Sequence, residues 1–311
     1  MSTSASGGSQ VRAWWTVVLL SSRRVGWSLQ TLAAVAIILV LGILVGAITV
    51  VAAQQGRAAW TFVTFTQNIL AGLYLTFILP LVCLCFGTQV IGGDWEEKSL
   101  VWLLTRPLPR AAIYLAKYVA ALPWVLGLAL GGLFFVGALA GPPAQPTTPI
   151  AVARTLSERV VVATVDPPDL NAASTVPQGW PGVESAWAFW PVAVWGALAY
   201  LALFQLLGAW FRRSTIIGVA YTFVLEVIVT NMPGLLKRAS IGFYNRCMLY
   251  GMAERQDWDY VQGQPALVPP RDTIFLPIPY DDAWQTLLVM TLILLLLGAW
   301  LFHRQEYKDL T

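Results

Sequence analysis

The sequence predicts an all-α, polytopic membrane protein, and three observations carry that expectation. Apolar residues make up 57% of the chain and charged residues only 11%, against about 25% charged in a globular domain. Mean hydropathy is +0.66. Six apolar runs, 31–53, 67–91, 117–140, 187–210, 214–235 and 284–302, come close to the roughly 20 residues a helix needs to cross about 30 Å of hydrocarbon. The runs are apolar on all sides rather than alternating every second residue, which excludes the strands of an outer-membrane barrel.

In chain order, residues 1–30 are expected to form a cytoplasmic N-terminus and 31–311 a six-span transmembrane domain. The segment "VRAWWTVVLLSSRRVGW" mixes aromatic, aliphatic and basic residues, which suits a helix lying in the membrane interface. A simple anchoring leader is the alternative. No cleavable secretory signal is expected, since Arg12, Arg23 and Arg24 precede the first span and no small-residue cleavage site follows a short apolar core. Counting Lys and Arg orients the chain with both termini in the cytoplasm. That arrangement places 11 basic against 5 acidic residues inside, and 8 basic against 10 acidic outside. The short "FRRS" turn between the fourth and fifth spans and the Arg23–Arg24 pair carry most of that argument.

Two long external loops are expected, 141–186 and 236–283. Both are punctuated by proline, as in "GPPAQPTTP" and "VPPRDTIFLPIPYDD", which forbids long helices within them. Neither resembles a catalytic domain, although "ARTLSERVVVATV" has room for a short helix or strand. Most of the 15 Trp residues fall near span ends, where aromatic belts form.

Catalytic and metal signatures are sparse. Three cysteines cannot build a disulfide framework, and Cys83 and Cys85, two apart on a helix, face different ways. Cys247, Met248 and Met252 in "CMLYGM" have ligand chemistry suited to Cu(I), but no partner motif supports a site. The single histidine, His303, sits beside Arg304 past the last span and reads as solvated or headgroup-facing. A P-loop needs Gly-Lys-Ser or Gly-Lys-Thr, and here Lys98, Lys117, Lys237 and Lys308 follow Glu, Ala, Leu and Tyr. The chain is therefore expected to hold no cofactor of its own.

The charge of the first half concentrates in the loop 92–116. Asp94 and Glu97 have the spacing of a capping box, so a short helix is expected to start at Trp95. Leu100, Leu103 and Leu104 make one apolar face, and Arg106 falls near the helix end, where a cation suits the dipole. "RPLPR" then forces an extended elbow before a new helix runs from about Ala111 into the third span. The expected product is a rigid amphipathic projection on the cytoplasmic face.

On these residues the chain resembles permeases of the type-2 ABC exporter class. "GDWEEKSLVWLLTRPLPRAAIYLAKY" is similar to the stretch that follows span two in that family, and "YTFVLEVIVTNMPGLLKRASIGFY" to its fifth span, with an in-membrane Glu and a following Pro-Gly. The order and spacing of the motifs carry the resemblance more than any single residue, and it covers most of the chain outside the two long loops. It implies a non-catalytic membrane subunit of an exporter in the cell (inner) membrane, pairing as a homodimer or with a related permease. A separate cytoplasmic ABC ATPase subunit would bind and hydrolyse ATP. It also implies that Asp94, Glu96, Glu97, Leu100, Leu104, Arg106 and Arg110 form the surface that receives that ATPase. Membrane lipid is an expected partner, nucleic acid is not, and the substrate is left unnamed.

Glu226 is the one ionisable residue placed deep in a span, where a carboxylate costs about 2.5–3.5 kcal/mol on insertion scales. Pairing with Asn231, Thr222 or a neighbouring helix end, and a place on a transport path, both stay open. So does a second class of function, a stand-alone secondary transporter or membrane scaffold, although ion-coupled carriers normally bury several polar groups.

Overall fold

The computed structural model describes residues 5–26, 28–55, 59–96, 109–141, 180–211, 213–231, 236–258, 260–261, 264–265, 267–269 and 277–304. Helix α1 (Ala5–Gly26) is followed by α2 (Leu29–Gln54), whose N-cap Ser28 accepts from the Thr31 amide. Thr31 Oγ1 also donates to Val25 O at 2.6 Å, tying the end of α1 to the start of α2. The second spanning helix, α3 (Phe62–Gly93), is α-helical at both ends but π-helical over Phe65–Ile78. Pro80 gives a physical reason, because its missing N–H and its ring disturb the turn before it. Thr76 Oγ1 donates to Ala71 O, five residues back, at 2.8 Å and satisfies one carbonyl of the widened turn.

Next come α4 (Arg110–Leu139) and α5 (Pro181–Trp210). Each keeps an internal proline, Pro123 and Pro191, as spanning helices tolerate when neighbours satisfy the freed carbonyls. The last spanning helix is α8 (Tyr280–Arg304). Among the described residues five helices are thus long and apolar enough to cross a membrane. Among the described residues the only strand pairing is two residues long, β1 (Tyr260–Val261) with β2 (Gln264–Pro265).

The fifth expected span, 214–235, is built differently. Helix α6 (Ser214–Tyr221) passes into a π-helical stretch, Thr222–Ile228, and then a 3-10 turn, Val229–Asn231. After a further 3-10 turn at Leu236–Ala239, Ser240 caps α7 (Ile241–Arg255). Ser214 lies beside Gly92 at one end of the bundle, whereas Glu226 lies beside Tyr200, ten residues before the end of α5. That spacing is about 15 Å along a helix, roughly half a bilayer core. From there α7 runs outward, with Asn245 against Gly196 and Trp258 against Phe189. Segment 214–255 therefore makes one crossing in two pieces that meet inside the bundle. About a third of the expected second external loop is this buried helix, whose Ile241, Phe243, Cys247, Met248 and Leu249 are in the core.

Helix α5 is the central post, packed against α3, α4, α7 and α8. Of its most apolar window, 78% is buried, against 28% for α2 and for α8. Small residues let the helices approach closely, as expected where lipid gives no hydrophobic drive to associate. At Gly137 of α4 and Gly182 of α5 the two backbones touch, so a Cβ on Gly137 would stand 2.5 Å from Gly182 O. The outward faces of α2 and α8 carry Leu39, Ile43, Leu292 and Leu296.

Candidate functional site

Two of the buried ionisable side chains among the described residues, Lys117 and Glu226, mark two sites in the bundle. The first lies at the end where α1, the C-terminal end of α3 and the start of α4 converge. Helix α1 runs parallel to the first turns of α4. Trp14 Nε1 donates to Ala112 O at 3.1 Å and Trp124 Nε1 to Ser22 Oγ at 3.0 Å, with Val17 and Val18 packed on Ala116 and Ala120. Lys117 is buried and its Nζ donates to Val90 O of α3 at 2.7 Å. Three further bonds and contacts fix the same two turns of α4. Gln205 Nε2 of α5 donates to Tyr114 O at 2.9 Å, Tyr118 OH donates to Leu198 O at 3.0 Å, and the Tyr114 ring packs on Phe302 of α8. The "YLAKY" stretch is thus pinned to every helix around it. Its aromatic-Lys pattern was visible in the sequence, but its partners were not.

The loop residues expected to face an ATPase flank this junction. Arg110 opens α4. The expected helix start at Trp95 is not found, because α-helix continues from Leu79 to Glu96 and places Asp94 inside its last turn rather than at a cap. The Gly92–Gly93 pair leaves that helix unbroken. The side chains of Asp94 and Glu96, together with Glu97, Leu100, Leu104 and Arg106, lie outside the described residues.

The second site is the break in the fifth crossing. Glu226 is fully buried, and its Oε2 accepts from Ser240 Oγ at 2.8 Å and from the Gly242 amide at 2.8 Å. Its Oε1 faces Tyr221 OH at 3.5 Å, and the buried Tyr200 hydroxyl lies against the same carboxylate. Thr230 Oγ1 joins through Ser240 Oγ at 2.6 Å. A carboxylate at the first amides of α7 is the arrangement a helix N-terminus favours, by both its exposed N–H groups and its dipole. Of the pairings left open from sequence, the neighbouring helix end is the one observed. Thr222 bonds instead to Gly218 O of its own helix at 3.0 Å. Gly242 is required by this contact, since a Cβ there would collide with Glu226 Oε2.

One turn along α7, Arg246 donates to Thr76 Oγ1 of the α3 π-segment at 3.3 Å, and Phe77 packs edge-on against Phe223 of the second π-segment. The two widened helices and the start of α7 therefore meet in one polar zone inside an apolar bundle. Both amide atoms of Asn245 are buried there without a hydrogen-bond partner. Cys247 and Met248 point into the core, and no group of three His, Cys, Asp or Glu side chains is placed to hold a metal among the described residues. The arrangement holds the start of α7 on a buried carboxylate.

Residues 27–165, somewhat under half of the chain, match the family described as ABC-2 family transporter protein. A stretch of 68 residues is 40% identical to the probable ABC transporter permease protein NosY of Stutzerimonas stutzeri, covering 22% of this chain and 24% of that relative's length. The family match takes in α2, α3 and α4, and with them the Lys117 junction. Over these stretches the chain is similar to ABC-2-type permeases, and among the described residues it carries five helices able to cross a bilayer, as a multi-pass membrane protein does.

Proposed function

We propose that the chain is the membrane subunit of an ABC exporter, moving its substrate across the cell membrane with energy from a separate cytoplasmic ATPase. In this reading the subunit itself performs no chemistry and binds no cofactor; ATP is held by the partner, and two permease subunits, identical or related, assemble around the path. The ATPase docks on α1 and on the loop 92–116, with Asp94, Glu96, Glu97, Leu100, Leu104, Arg106 and Arg110 as the contact surface.

The observation that carries the proposal is the Lys117 junction. Both arms of the loop, the end of α3 and the start of α4, are tied there to each other, and α4 is tied to α1, α5 and α8. A push on the loop is therefore delivered to the whole bundle rather than absorbed in one flexible arm. The N-terminal helix, the "FRRS" turn and the end of α8 lie at the same end, as cytoplasmic termini require.

The test is affinity purification of the tagged protein in mild detergent, with and without Glu96→Lys and Glu97→Lys. Recovery of a P-loop ATPase that is lost on charge reversal is the expected result. A chain that brings down no ATPase in either form sinks the proposal and favours a stand-alone transporter or scaffold.

A further inference from the structure

At the end of the bundle opposite the Lys117 junction, the last turns of α7 and the chain entering α8 line a half-open cleft of about 510 Å³, within the roughly 300–1,000 Å³ typical of small-molecule sites. Its apolar wall comes from Tyr250, Leu267, Val268 and Ile278, with Leu267 fully buried. Three prolines, Pro269, Pro277 and Pro279, complete the wall, and a proline offers a carbonyl acceptor with no N–H donor. Among the described residues, the charged lining residue is Glu254, and no Lys, Arg or His lines the space.

The rim has the same sign. Asp257 follows Glu254, and Asp281 and Asp282 stand just past Pro279 in the first turn of α8. The nearest cation at the rim, Arg255, is engaged by Asp281 at 2.5 Å and lies over the Tyr280 ring. Arg246, one turn before Tyr250, bonds to Thr76. An apolar chamber rich in acceptors, with a carboxylate and an aromatic face, matches a protonated amine carrying an apolar body. The ammonium offers three donors, and a phenol ring attracts it through its face.

We propose that this cavity is a binding site for amphiphilic primary ammonium compounds, through Glu254 and Tyr250 at the head and Leu267, Val268 and Ile278 along the body. It is separate from the Glu226 break and does not depend on an ATPase partner. The ammonium has two sources, a free amine or the headgroup of an aminolipid, and both present the same chemistry.

The test uses the full chain in phosphatidylglycerol nanodiscs and the fluorescence of dansylcadaverine, a primary amine with a flat apolar body, corrected against empty discs. Its N-acetylated form, with the same body and no charge, is the comparison. The wild-type chain should bind the amine at least about tenfold more tightly than the acetylated form, a difference of about 1.4 kcal/mol. Glu254→Gln, at an exposed position where folding is not at stake, should erase that preference, and Val268→Trp should fill the chamber and remove binding of both forms. Equal binding of amine and acetylated form by the wild-type chain overturns the proposal, as does binding unchanged in both variants. In phosphatidylethanolamine discs, loss of dansylcadaverine binding identifies the lipid ammonium as the resident occupant, and retained binding identifies a free amine.

Discussion

Lys117 and Glu226 are both buried charges in an apolar bundle, and each is held by a helix end of opposite partial charge. Lys117 donates to a carbonyl near the C-terminal end of α3, and Glu226 accepts from the first amides of α7. The difference lies in depth and reach. Lys117 stands two turns from the end of its helix, and its four-carbon stem crosses to the neighbouring helix, so the ammonium joins two elements near the interface. Glu226 sits about half a bilayer deep on a short stem, so donors had to be brought to it. The chain does this by breaking the fifth crossing and turning a helix start inward. A cation near the surface ties two intact helices together, whereas an anion at depth is compensated by a helix that begins inside.

The largest effect expected from that contrast is at Glu226. Glu226→Leu leaves the Gly242 amide without an acceptor in the core and takes one acceptor from the Ser240 hydroxyl, and should lower stability by about 3 kcal/mol. Glu226→Gln, which keeps one acceptor oxygen, should lose less than half of that. Thermal unfolding in detergent, followed by size-exclusion recovery, compares them; equal losses would mean that the carboxylate is not what holds α7. Gly242→Ala comes next. Its methyl collides with Glu226 Oε2, and a cost of about 2 kcal/mol is expected by the same assay, largely absorbed in a Glu226→Gln background, since the two changes strike one contact.

Lys117→Met should lose only about 1–2 kcal/mol, because the stem still packs and a single bond to a carbonyl is removed. Its larger consequence is functional: if the junction transmits the stroke, the purified complex should keep ATPase activity while transport-linked stimulation falls. Unchanged stimulation would place transmission elsewhere. Trp14→Phe removes one half-buried bond to Ala112 O and should cost about 0.5–1 kcal/mol, read as faster proteolysis of α1.

Much of this was legible in the sequence. Runs of apolar residues placed five helices within a few residues of their cores, as at 31–53 against Leu29–Gln54 and 284–302 against Tyr280–Arg304. Ends were harder to read. One was legible: helix α4 starts at Arg110, within a residue of the expected start at about Ala111, because the proline elbow stops the helix before it, and its first turns bury Tyr114 against α5 and α8. Asp94 has the spacing of a cap, yet the helix already under way from Leu79 runs through it; a local capping signal has no force where a helix is still propagating. Helix α7 was missed for a different reason. It carries Asn245, Arg246, Glu254 and Arg255 within 15 residues, a composition that reads as loop, and only its burial between α5 and α8 makes it part of the bundle.

That composition bears on how the protein is made. Helix α7 is too short and too polar to partition into lipid by itself, and one of the two long helices it packs against, α8, is synthesised after it. The wall that shelters α7 is complete only once α8 is in place, and the contact of Ser240 and Gly242 with Glu226 has to wait for α7 to leave the aqueous phase. Until that happens the carboxylate is an uncompensated charge at mid-membrane, and a ribosome that stalls before Tyr280 leaves behind a bundle with a visible defect, the kind of exposed polar residue by which membrane quality control tells an unfinished protein from a finished one.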